Sequence, residues 1–203
     1  MTPGGTSRGG NGLALEDVDE RLDGLVRPRG WQNPQPRGLY DLVVIGGGTA
    51  GLVSAVGAAG LGARVALVER NRLGGDCLNT GCVPSKAILR TARAVGEIRR
   101  APGLGVHIGR VDVDFGAVMH RMRERRAGLA PNDSAERVTR LGIDVFFGAG
   151  SFRSRRELAL GSTTLQFRRA VIATGSRPAV PPIDGLAHTP YLTNETVFAL
   201  TER

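Results

Sequence analysis

Residues 40–70, YDLVVIGGGTAGLVSAVGAAGLGARVALVER, leave few folds open. An apolar strand, Leu42–Ile45, runs into a glycine turn; a helix of small residues follows, and a second apolar strand ends on Glu69. Gly46, Gly48 and Gly51 form G-x-G-x-x-G directly after the first strand. In a unit of this kind the first glycine permits the tight turn and the second lets the backbone approach a pyrophosphate. The third allows the helix to pack closely on the sheet. The helix start, at Thr49 and Ala50, offers free N–H groups and the positive end of the helix dipole to phosphate. Glu69, with Arg70 after it, stands where an acid accepts a hydrogen bond from a ribose hydroxyl. Strand, turn, helix, strand and acid together predict an α/β, Rossmann-like dinucleotide-binding fold on a parallel sheet. They do not separate FAD from NAD.

The only two cysteines, Cys77 and Cys82, fall together in GGDCLNTGCVPSK, residues 74–86. Three roles are open to such a pair: a structural staple, half of a metal site, or a redox couple. A helix predicted over PSKAILRTARAVGEIRR puts Cys82 at its N-terminus, with Pro84 in the first turn, where a missing N–H costs nothing. The helix dipole there is expected to lower the thiol pKa. Cys77 lies one loop earlier, within bridging reach. Zinc would need two further Cys or His ligands, and His107, His120 and His188 are scattered singly, so no metal site is predicted. A staple closing so short a loop adds modest stability. The chain shows no signal peptide or membrane-spanning run and reads as cytoplasmic, where thiols are kept reduced. These considerations favour the redox couple.

Taken with the later VIATGSRP, the stretches GGGTAG and GGDCLNTGCVPSK resemble the class I pyridine nucleotide-disulfide oxidoreductases. That family includes dihydrolipoyl dehydrogenase, glutathione reductase and mercuric reductase. The likeness runs from Tyr40 to Arg203, and WQNPQP, NDSAERVTRLGIDVFFGAGSF and YLTNETVFAL look most like the mercuric reductase-like branch. It implies FAD in the glycine site and a redox-active disulfide between Cys77 and Cys82. By the family pattern Cys82 is the flavin-proximal, charge-transfer thiol, and Cys77 is the exposed interchange thiol that attacks substrate. Lys86, four residues after Cys82, matches a lysine near the flavin N5. Gly75 joins the cofactor-binding set, and Asp76 stands where many members carry threonine. Gly150 matches a position whose backbone touches adenine. Thr174, Gly175 and Ser176 match the second flavin motif, after a strand Ala170–Ala173. For the whole enzyme the resemblance implies NAD(P)H as electron donor, a disulfide or metal ion as small-molecule substrate, and a homodimer whose partner supplies a His-Glu acid/base pair.

Neither a second glycine-motif unit for nicotinamide nor that dimerisation part follows Ala199, and no G-x-x-C-x-x-C metal-carrier motif precedes the domain. The chain is therefore expected to be the FAD portion of a longer enzyme, truncated before the NAD(P)H domain and inactive alone. A non-catalytic FAD-binding remnant is the alternative, and a zinc-binding module a third. Residues 1–38 are expected as a flexible arm and Pro-rich linker, and residues 39–203 as an incomplete FAD-binding domain. In the arm, MTPGGTSRGGNG is expected to be disordered, while Leu15, Val18, Leu22 and Leu25 share a helical face. Trp31 is expected to anchor the linker by packing. Further on, the sequence predicts two helices split at Pro131-Asn132-Asp133, with RMRERR as a solvated face, then a hairpin through Gly161-Ser162. The net charge of +8 comes mostly from arginine, but no nucleic-acid motif accompanies it and aromatics are only 4% of residues, too few for base stacking.

Overall fold

The computed structural model describes residues 15–202, so the expectation for the glycine-rich opening lies outside the described residues. Six strands form one sheet in the order β3-β2-β1-β6-β5-β4. Strands β1 (Leu39–Ile45), β2 (Val65–Glu69), β3 (Asp144–Phe147) and β6 (Thr163–Ile172) are parallel. Strands β4 (Gly150–Ser154) and β5 (Glu157–Leu160) extend the sheet as an antiparallel meander into β6. The expected α/β fold is thus found, with its parallel sheet and small hairpin. All five residues of β2 are buried, as are Val43 and Val44 on opposite faces of β1. That two-sided burial is why these strands read as continuous apolar runs without alternation. Strand β6 does alternate at its start: Leu165 and Phe167 are buried while Thr164 and Gln166 are exposed.

Helix α2 (Thr49–Gly60) crosses from β1 to β2, whereas β6 pairs with the other side of β1. Connections from β1 therefore diverge, and the crevice outside its carboxyl end is the topological switch point where open α/β sheets take ligands. On one face of the sheet Val44, Leu67 and Val145 meet α2 and further helices. On the other, Tyr40, Val68 and Phe146 meet Leu158 and Leu165 of the meander. A third cluster, Ala87, Met119, Met122 and Phe198, joins α4 (Cys82–Arg100) to α5 (Phe115–Leu129). Asp114 caps α5, accepting from Ala117 N, and Ser134 caps α6 (Ala135–Arg140), accepting from Arg137 N.

Two expectations need correction. Residues 15–38 are not a flexible arm. Helix α1 (Leu15–Val26) places Val18, Leu22 and Val26 fully inside the main core, because their spacing makes one apolar stripe. The linker after it lies along the free edge of β3. Trp31 Nε1 donates to Val145 O at 3.3 Å, and the Asn33 amide both donates to Phe147 O and accepts from Phe147 N. These side chains satisfy edge groups that would otherwise be open to strand pairing. Trp31 also packs edge-on against Phe147, at 5.7 Å between ring centroids, and so anchors the linker by packing. Second, RMRERR is not a solvated face. Arg123 and Arg126 are buried, Arg123 donating to the carbonyls of residues 198–200 and Arg126 to Asn79 O and Asp19. Carbonyl acceptors, with the Asp19 carboxylate that pairs with both, make their burial tolerable.

Candidate functional site

A cavity of about 780 Å³ opens at the carboxyl ends of β1, β2 and β6, a volume typical of small-molecule sites. The glycine turn forms its floor. Gly46 adopts φ +106°, and a Cβ there would stand 2.2 Å from Ala173 O, so the turn leaves β1 pressed against the end of β6. A Cβ on Gly51 would stand 1.8 Å from Gly46 O, which fixes how closely α2 can follow the turn. No side chain caps α2 at Gly48, leaving its first-turn N–H groups to the cavity. Gly48 in turn touches Gly75: a Cβ on Gly75 would lie 2.6 Å from Gly48 Cα. The two helix starts therefore approach as backbone against backbone.

Glu69 is buried at the end of β2. Its Oε2 accepts from Gly47 N and its Oε1 from Asn71 N, both at 2.6 Å. Each oxygen keeps lone-pair capacity for a further donor such as a ribose hydroxyl. Asn79, buried in the CLNTGC stretch, donates through Nδ2 to Leu73 O and Gly75 O, while its Oδ1, also buried, has no protein partner. Asp23 pairs with Arg72 at 2.7 Å and Glu195 with Arg177 at 2.7 Å. Arg27 and Arg70, also on the cavity wall, have no carboxylate partner among the described ion pairs. The lining also holds Glu69 and Asp76, so four arginines face four carboxylates, and its capacity for an anion lies in the free N–H groups at the start of α2 rather than in net charge.

Cys77 does not lie in a loop but in a short helical turn, α3 (Gly75–Asn79), half-buried on the same cavity. It also lines a second, smaller pocket of about 300 Å³ with Leu52, Val83 and Asp133. Cys82 is the first residue of α4, as expected, but it is the exposed thiol and Cys77 the half-buried one, the reverse of the exposure the family pattern implied. Both thiols are free in this structure. A hydrogen bond with Cys82, together with burial, pushes the Cys77 thiol pKa up; a hydrogen bond with Thr49 and the charge of Lys86 oppose this. Burial also raises the Asp133 carboxyl, against the pull of Arg137.

Among the residues singled out from sequence, the cavity brings together Gly46, Gly48, Thr49 and Ala50 of the turn with Glu69 and Arg70. It adds Gly75 and Cys77 from the cysteine stretch and Thr174, Gly175 and Ser176 after β6. Gly51 sits beneath, inside α2. Cys82, Lys86 and Gly150 are not on its wall: Lys86 is exposed one turn into α4, and Gly150 opens β4 with its surface exposed. Asp23, Arg27, Arg72 and Asn79 were not anticipated. Only Asn79 carried a local signal, its place between the two cysteines. Among the described residues no group of three His, Cys, Asp or Glu is placed to hold a metal, and no helix is long and apolar enough to cross a membrane.

The pyridine nucleotide-disulphide oxidoreductase family model matches residues 40–202. The chain is 36% identical over 148 residues to a dihydrolipoyl dehydrogenase of Acholeplasma laidlawii, covering 72% of this chain and 44% of the relative. It is 32% identical over 161 residues to a mercuric reductase of Lysinibacillus sphaericus, covering 79% of this chain and 30% of that one. Among solved structures it resembles a Cu(II) complex of an HOCl-induced flavoprotein disulfide reductase from Escherichia coli, with a TM-score of 0.66 at 27% identity, over 81% of this chain and 35% of that one. The chain thus spans less than half the length of these relatives.

Proposed function

This chain belongs to the pyridine nucleotide-disulphide oxidoreductases, a family of FAD-binding flavoproteins that use NAD(P)H, and from that premise we propose that its cavity holds FAD beside a working Cys77–Cys82 pair. One observation carries the reading: a single cavity gathers the uncapped start of α2, Glu69, Thr174–Ser176 and Cys77. The residues fit the group. Gly75 lets its backbone meet that of Gly48 beside the cavity, where its own Cβ would clash, the orphaned Asn79 Oδ1 offers a buried acceptor, and the free N–H groups of α2 suit a pyrophosphate. FAD when bound supplies two-electron redox chemistry.

The residues of this chain supply the rest. The glycine turn and α2 bind the pyrophosphate, and Glu69 accepts from the adenosine ribose. We assign the flavin-proximal roles to Cys82 and Lys86, which lie off the cavity wall, Cys82 being joined to it through its hydrogen bond with Cys77. Two electrons and two protons convert the Cys77–Cys82 disulfide to two thiols. The Cys77 thiolate then attacks a substrate disulfide and releases one thiol; Cys82 attacks the resulting mixed disulfide, releases the second thiol and restores the bond. The second pocket beside Cys77 gives substrate an approach separate from the dinucleotide. The substrate class is a small disulfide or a metal ion, and the whole enzyme is a cytoplasmic homodimer fed by NAD(P)H.

The test is reconstitution. The chain is expected to bind FAD and not NAD, and Glu69→Ala to weaken FAD binding by about 1.5–3 kcal/mol, the worth of a charge-assisted hydrogen bond. Mild oxidation should yield a Cys77–Cys82 bond by mass spectrometry. Binding of NAD but never of FAD would overturn the reading.

A further inference from the structure

Helix α1 lies outside residues 40–202, the span matched by the family, yet it grips the segment that runs from Glu69 to Cys77 along the cavity. Leu73 N donates to Val26 O at 3.0 Å. Arg72 Nη2 donates to Asp23 Oδ2 at 2.8 Å. Arg126 joins Asp19 of α1, at 2.5 Å, to Asn79 O, at 3.0 Å. Beneath these bonds Val18, Leu22 and Val26 share a core with Leu73 and Leu78. Immediately after the helix, Arg27 Nη1 donates to two successive carbonyls, Arg70 O at 2.6 Å and Asn71 O at 2.7 Å. Its guanidinium lies over the Phe147 ring, 4.9 Å from the centroid.

We propose that α1 is part of the dinucleotide site, and that Arg27 is the positioning residue for its adenosine half. The inference rests on the FAD reading above. The connection is short. Asn71 N donates to Glu69 Oε1, so the turn whose carbonyls Arg27 holds is the turn that orients the ribose acid. Gly47 N fixes the other carboxylate oxygen, and Arg27 supplies the only charged donor to the turn among the described hydrogen bonds. Arg27 is itself on the cavity wall, and its charge is not cancelled by a described carboxylate partner. Losing it frees the turn, lets the Glu69 carboxylate reorient, and removes a positive charge from the cavity wall beside that carboxylate.

The experiment titrates FAD into the 203-residue chain, following flavin fluorescence, with ADP as competitor for the adenosine half alone. Arg27→Ala is expected to raise the FAD Kd about tenfold and to raise the ADP inhibition constant in parallel. Arg27→Lys should recover most of the affinity, since one ammonium can donate to both carbonyls. Arg21→Ala, which removes only the ion pair with Glu124 elsewhere on α1, should bind FAD as the parent does. FAD binding by Arg27→Ala as tight as by the parent overturns the inference and leaves the FAD reading standing. Equal loss in the Arg21 and Arg27 variants, or no recovery with lysine, reduces α1 to a stability role and also overturns it. A parent that binds no FAD overturns both. If Arg27→Ala does not fold, Arg27→Gln, which keeps a donor without the charge, takes its place with the same expected loss.

Discussion

Two alanine substitutions in one helix should have opposite effects. Gly51 and Gly57 both lie within α2, so helix propensity alone predicts that either change to alanine stabilises the chain by about 0.8–1.0 kcal/mol. At Gly57 nothing lies within 4 Å of the added Cβ, and the full gain is expected. At Gly51 the Cβ would meet Gly46 O at 1.8 Å and Gly46 C at 2.9 Å. A carbon–oxygen contact is comfortable only at about 3.3–3.6 Å, so the two backbones must separate by about 1.5 Å. No flexible side chain can yield, because the obstacle is a carbonyl in a turn that is itself wedged against Ala173 O.

Taking the upper end of the about 1–3 kcal/mol cost of overpacking, and subtracting about 1 kcal/mol of propensity, leaves a net loss of about 2 kcal/mol for Gly51→Ala. A chain of this size shifts its Tm by about 2–4 °C per kcal/mol. Thermal melts by far-UV circular dichroism should therefore show Gly57→Ala about 2–4 °C above the parent and Gly51→Ala about 4–8 °C below it. Gly51→Ala should also lose FAD affinity, since the same separation displaces the first turn of α2. A Gly51→Ala chain that melts at or above the parent would refute the close-approach argument for the third glycine.

Two further outcomes follow from the side chains. In the reduced chain, limited treatment with iodoacetamide followed by peptide mapping should label the exposed Cys82 before Cys77, whose thiol is half-buried and raised in pKa; first labelling at Cys77 would contradict that order. Burial pushes the Tyr40 phenol from 10.0 up to about 12, so the folded state binds its proton more tightly than the unfolded chain does. The stability this contributes is fully present below pH 10.0 and is lost as pH rises through about 12. Tyr40→Phe should flatten alkaline unfolding over that window, while costing about 1–3 kcal/mol at neutral pH because the buried Asp144 loses the Tyr40 hydroxyl.

The dinucleotide unit was legible in the sequence because its constraints are local. Gly51 answers to Gly46 O within the turn, and strands buried on both faces show as unbroken apolar runs, although the contact that constrains Gly46 itself comes from the distant Ala173. The hairpin at Gly161-Ser162 was local in the same sense. What could not be read was decided by partners distant in sequence. The face of α1 showed its periodicity but not that it would share a core with Leu73 and pack against α5 and α6. Gly47 looked like a spacer, yet a Cβ there would strike Leu73 Cδ2 at 2.4 Å. Arg27 lay in what read as a Pro-broken linker, and its acceptors are the carbonyls of residues more than forty positions away.

The arginine run shows the physics of that misreading most clearly. A charged stretch in a helix is usually solvated, because an unpaired buried charge is costly. Here the run divides by helical position. Arg125 is exposed, while Arg123 and Arg126, one turn apart, are buried. A guanidinium has five donors in a planar fork, so it can be stabilised by several acceptors at once, here backbone carbonyls together with the Asp19 carboxylate that pairs with both Arg123 and Arg126. Arg123 Nη2 has carbonyls at 3.0, 3.1 and 3.4 Å in residues 198–200. Arg126 uses one nitrogen on Asn79 O and another on Asp19. Arg121 reaches Ala87 O on α4 at 3.0 Å. One helix thus ties four separate segments together: α1, the cysteine turn, α4 and the 198–200 stretch. Since Asn79 lies between the two cysteines and also meets Gly75 on the cavity wall, the geometry of the cysteine stretch depends on a charge that the RMRERR run read as solvated.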